Sequence, residues 1–231
     1  VDFSKDASLK GLFSDRISSK PKDGKIYNGI VKNIKGEKVG FFGLTTEETK
    51  DIASPEAVSF ENYISEAEKA VKAFEKMGVN KIVAVTHIGY DDSAAVDNDL
   101  ELAAKVDGID VIIGGHSHTM LSEPVAVTKD ESGAEKDTTL IVQAYQYSEY
   151  LGTLDVKFDK KGKITDYAGE LLKVADYQED AKAAEALRKY SDKIEEIRQT
   201  ETGAVAEFAL TNPRKSDANS DGTSVRANET P

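Results

Sequence analysis

Three histidines, His87, His116 and His118, are the residues best suited to chemistry, and the chain contains no cysteine. His87 directly follows the apolar run KIVAVT (81–86), and His116 directly follows DVIIGG (110–115). Short, continuously apolar runs of this kind read as buried strands. Both imidazoles then fall just past the carboxyl ends of strands, the edge where open α/β sheets bind ligands. His116 and His118 are two apart, so extended backbone points them to the same side. Gly114 and Gly115 allow a sharp turn without a side chain to obstruct an ion. A lone histidine at a strand end is more often a hydrogen-bonding residue than a ligand. Three at equivalent edges shift the reading to a divalent metal, with Zn, Mn, Fe, Co and Ni all suited to imidazole.

Other catalytic schemes fare worse. Ser117 lies between two histidines without a nucleophile-elbow pattern, and the adjacent Asp91 and Asp92 read as solvated or as a helix cap. There is no Walker-type phosphate loop and no H-E-x-x-H helix. Gly43, in GFFGLTT, reads as a strand-end turn.

The elements that must carry these residues follow from hydrophobic period. IYNGIVKNI (26–34) and KVGFFGL (38–44) are strand-like and joined by a Gly-containing turn, a hairpin signal. In residues 59–77, Phe60, Ile64, Ala67, Val71 and Phe74 fall on one helical face, and Gly78 stands at the C-terminal cap. Residues 97–106 form a shorter helix. Helix, strand, helix, strand in close succession implies crossover units on a parallel sheet. Two antiparallel hairpins follow, 123–128 with 138–144 and 152–158 with 163–174. Residues 178–199 form a charged helix with the narrow stripe of a surface connector. Residues 1–25 settle into no period, and AVAEFAL, just after position 200, begins a further strand.

Composition narrows the partners. Of 231 residues, 39% are hydrophobic and 31% charged, with a formal net charge of -12. Such an acidic chain repels phosphate backbones and anionic lipid heads, which argues against nucleic acid as a partner. A bound cation can reverse the local field, so phosphate chemistry here requires metal. No apolar run approaches the roughly 20 residues of a spanning helix, so no membrane insertion is expected. The opening VDFSKDASLK lacks the apolar core of a signal peptide.

KVGFFGLTT, VTHIGYDD, GIDVIIGGHSHT and IVQAYQYSEYLGTLDVKF, in that order, resemble the calcineurin-like metallophosphoesterase domain of the bacterial 5'-nucleotidase and 2',3'-cyclic-nucleotide phosphodiesterase family. The resemblance implies an α/β chain. Residues 1–175 would be the C-terminal half of a four-layer α/β/β/α sandwich, 176–200 a linker helix, and 201–231 the truncated start of the nucleotide-binding C-terminal domain. SVRANETP resembles the opening of that second domain, which would make Arg226 a substrate-binding residue.

In the family's scheme His87 and His116 bind one metal of a dinuclear centre and His118 binds the other. A hydroxide between cations roughly 3.5–4 Å apart attacks phosphorus in line. The family's earlier motifs, Asp-x-His, Gly-Asp and Gly-Asn-His-Glu, do not occur here, so no catalytic residue is expected in this chain. The resemblance therefore implies a fragment of a metal-dependent phosphohydrolase that removes phosphate from nucleotides, with two divalent ions (Mn, Zn, Co or Fe) in the parent enzyme and an extracellular, cell-wall or periplasmic location. Alone, the chain is expected to be inactive and to self-associate where the missing N-terminal half of its domain would pack. A non-catalytic metal-binding or interaction module is the alternative.

Overall fold

A computed structural model describes residues 12–53, 57–91, 97–201 and 203. The chain divides into two compact units, Val1–Asp176 and Tyr177–Pro231. In the first unit the strands are β1 (Phe13–Ser18), β2 (Ile26–Ile34), β3 (Glu37–Thr45), β4 (Ile82–His87), β5 (Val111–Ile113), β6 (Val125–Lys129), β7 (Glu135–Val142), β8 (Tyr150–Phe158) and β9 (Ile164–Lys173). The helices are α1 (Thr49–Ile52), α2 (Tyr63–Lys76) and α3 (Asp99–Lys105). Seven strands form one mixed sheet in the order β1-β2-β3-β4-β5-β7-β6, and β8 and β9 pair separately. The α/β class expected from the sequence is the class observed.

The sheet's centre is parallel: β3 with β4, β4 with β5, and β5 with β7. Its flanks are two of the three expected hairpins, β2–β3 and β6–β7, both antiparallel. The β2–β3 turn is built on Lys35 (φ 51°) and Gly36 (φ 92°), the left-handed pair that suits a two-residue hairpin twist. The long helix starts at Tyr63, four residues later than its apolar spacing suggests, because Asn62 caps it by accepting from the Ser65 N–H at 3.1 Å. Tyr63, Ala67, Val71 and Phe74 are its buried positions. In α3, Asn98 plays the same role for the Glu101 N–H at 2.7 Å.

The strands have two unlike faces. Phe42, Ala84, Ile112 and Ile141 belong to the buried core together with Ala67, Val71 and Phe74 of α2 and Leu102 and Ala103 of α3. Alternation sends Val85 and Ile113 to the opposite face, where they are register partners and remain 48% and 44% exposed. Central parallel strands are normally covered on both faces. Here the carboxyl end of one face is open.

Two expectations need correction. Residues 13–18 are not irregular: they form β1, which runs parallel to β2 with a register shift between Ser14 and Ile17. The run FSDRIS is too polar to signal a strand by composition. Gly43 is not a turn but an interior residue of β3, paired with Val85. Asp92, the AVAEFAL strand and Arg226 lie outside the described residues.

In the second unit α4 (Ala181–Arg198) is capped by Asp180, which accepts from Lys182 N and Ala183 N at 3.0 and 2.9 Å. Its stripe of Leu187, Tyr190, Ile194 and Ile197 is exposed. Among the described residues no helix is long and apolar enough to cross a membrane.

Candidate metal centre

His87 ends β4 and shares the open face with Val85, because β4 alternates buried and exposed positions. Its register partner across the sheet is Thr45. His116 lies on the loop after β5, and its ring comes within 5.1 Å of the His87 ring, edge to face at 68°. Gly115 makes this approach possible: a Cβ there would sit 3.1 Å from His87 Nδ1. The Gly89 N–H ties the two loops by donating to Gly115 O at 3.1 Å. His118 packs its ring on Tyr147 at 5.5 Å. The structure thus joins His87 and His116 directly and places His118 two residues further along the same loop. Among the described residues, no three His, Cys, Asp or Glu side chains are gathered closely enough to hold a metal ion.

The backbone around this site is strained. His116, His118, Tyr145, Tyr147 and Ser148 all have left-handed φ values, of 79°, 53°, 66°, 49° and 60°. Each such residue costs on the order of 1–3 kcal/mol and persists only where its surroundings over-determine it. The β5–β6 and β7–β8 loops support each other through a Met120–Ala144 bridge. Leu121 N donates to Gln143 O at 3.2 Å, and Tyr145 N donates to Thr119 O at 3.3 Å.

Burial lowers the His87 pKa first, and the nearby His116 and His118 lower it further. The neutral imidazole is the form that ligates metal. Behind His116, Glu48 Oε2 stands 3.5 Å from the imidazole Nε2. Glu48 is held there by a turn that Asp97 braces, accepting from Glu47 N at 2.7 Å. Asp97 is only 3% exposed. Desolvation raises its pKa, against the lowering effects of that hydrogen bond, of Thr46 and of His116. Asp99 is fully buried and accepts from Thr86 Oγ1 at 2.7 Å. Hydrophobic period marks 97–106 only as a helix and does not single out these acids; the cluster Asp97-Asn98-Asp99, one helix before the strand that leads to His116, is the available signal.

Two adjacent imidazoles against a glycine backbone, with a carboxylate behind one of them, suit a borderline divalent cation. No family model matches the chain. The trifunctional nucleotide phosphoesterase protein YfkN of Bacillus subtilis is 36% identical over 211 residues, covering 88% of this chain and 14% of the relative. Mouse 5'-nucleotidase is 32% identical over 188 residues, 75% of this chain and 31% of the relative. The crystal structure of a 5'-nucleotidase precursor from Thermus thermophilus superposes with a TM-score of 0.71 at 34% identity, covering 86% of this chain and 38% of that one. The chain is a homologue of 5'-nucleotidases.

It spans between 14% and 38% of the length of these relatives.

Proposed function

We propose that the chain is part of a metal-dependent phosphohydrolase that removes phosphate from nucleotides, and that His87, His116 and His118 are its contribution to the metal centre. The observation that carries this reading is the meeting of His87 and His116, delivered from adjoining parallel strands to one edge of the sheet. The likeness to nucleotide phosphoesterases supports it. Bound divalent cations would supply Lewis acidity and an ionised water at neutral pH. This chain's part is to hold the imidazoles in place and, through Glu48, to orient one of them.

Residues 1–175 are read as the second half of the metallophosphoesterase domain, 176–200 as a linker, and 201–231 as the beginning of the nucleotide-binding domain, with Arg226 toward substrate. The open face around Val85, Ile113 and His87 agrees with this division. Apolar cover and the remaining ligands would arrive together, from the half that carries the family's Asp-x-His, Gly-Asp and Gly-Asn-His-Glu motifs. A location outside the cytoplasm is part of the same reading, supported by the description of the Thermus relative as a precursor.

The test is an AMP hydrolysis assay with Mn²⁺ or Co²⁺. The chain alone should show no turnover above the metal-only background, and a polypeptide that adds the three motifs should hydrolyse AMP. Turnover by the chain alone at the rate of the longer polypeptide would overturn the division proposed here.

A further inference from the structure

We infer that Gln143 is the positioning residue of this site: its side-chain carbonyl sets the backbone that carries His116 and His118. Gln143 directly follows β7 and is 3% exposed. Its Oε1 accepts from Thr119 N at 2.6 Å and from Ser117 Oγ at 3.3 Å. Those two residues alternate with the histidines, so one oxygen fixes the loop on either side of His118 and just after His116. Ser117 Oγ lies 2.8 Å from Thr119 Oγ1 and accepts from Tyr90 N at 3.0 Å. Tyr90 is three residues beyond His87, so the network reaches the segment after the partner ring. Gln143 O accepts from Leu121 N and closes the far end of the loop.

A backbone with His116 at φ 79° and His118 at φ 53° does not hold itself in that form, because these are unfavourable conformations for residues with a Cβ. Something outside the loop must compensate, and a buried acceptor shared by two donors is the means the structure shows. Burial keeps water from competing for that oxygen. Residues 116–119 form no strand or helix that could supply the constraint in its place.

This inference rests on the metal reading for its consequence but not for its geometry, and the experiment separates the two. In the full chain Gln143→Met keeps the side-chain volume and removes the acceptor; Val71→Ala, in the core, serves as a control for general loss of stability. Nuclear Overhauser effects between the His87 and His116 rings should be present in the wild-type chain and in Val71→Ala, and absent in Gln143→Met. Zn²⁺ affinity by calorimetry should fall roughly 10- to 100-fold in Gln143→Met and be unchanged in Val71→Ala. Ser117→Ala, which removes the Tyr90 link while leaving the Thr119 bond, should show a smaller loss and provides a second route if the Met variant does not fold. Persistence of the ring-to-ring signals in Gln143→Met, or in Ser117→Ala where that variant must stand in, would overturn the inference. If those signals vanish while Zn²⁺ binding is unaltered, in these variants and in His116→Ala alike, Gln143 stands as the positioning residue and the metal reading is rejected.

Discussion

The backbone of Gly114 lies against the carboxylate of Asp99, and a Cβ at Gly114 would occupy the space of Asp99 Oδ2. Asp99 cannot yield easily, since it is fully buried and bonded to Thr86 Oγ1. Gly114→Ala should therefore lower stability by about 1–3 kcal/mol, the usual cost of overpacking. For a chain of this size that is a melting-temperature drop of roughly 3–10 °C, measurable by calorimetry. An unchanged melting temperature would mean that the carboxylate does not press on the strand end.

Val85 and Ile113 leave an apolar strip on the sheet's open face. In isolation the chain should self-associate through it, and Val85→Thr with Ile113→Thr should shift the population toward monomer while keeping β-propensity. Light scattering across a concentration series reads this directly. A wild-type chain that stays monomeric throughout would show that the strip does not drive association.

Asp110 sits at the opposite end of the same strands, where its Oδ2 accepts from Ile82 N at 2.7 Å. Burial pushes its pKa up from 3.8 to about 7, against the lowering effects of that hydrogen bond and of Lys81. The folded form holds a proton that the unfolded chain has already released over this interval. The neutral carboxyl's contribution is therefore fully present below pH 3.8 and is lost as pH rises through about 7. Relative to Asp110→Asn, which does not titrate, the wild-type chain should lose stability between pH 5 and pH 8, by at most about 1.4 kcal/mol per pH unit. Urea unfolding of both proteins at constant ionic strength tests this; a difference independent of pH would refute it.

Most of the sheet was legible because its inner strands are continuous apolar runs and its hairpins are marked by Gly and charge. β1 was not, because FSDRIS has neither pattern and gains its place by pairing with β2 and packing Ile17 against the core. Gly43 misled for a related reason: a glycine in mid-strand carries the same local signal as one at a turn. At the site, the meeting of His87 and His116 followed from strand order. The attachment of His118 to Tyr147, the left-handed backbone and the Gln143 network did not, since each depends on a loop more than twenty residues away in sequence. Glu48 and Asp97 were hidden in the same way.

The central claim is that His87 and His116 bind one cation between them. Anomalous diffraction from crystals of the chain grown with Mn²⁺ tests it most directly. The account predicts a peak within about 2.0–2.3 Å of a nitrogen of each ring, the usual range for an imidazole ligand. A Mn²⁺-saturated crystal with no peak between these rings would contradict it.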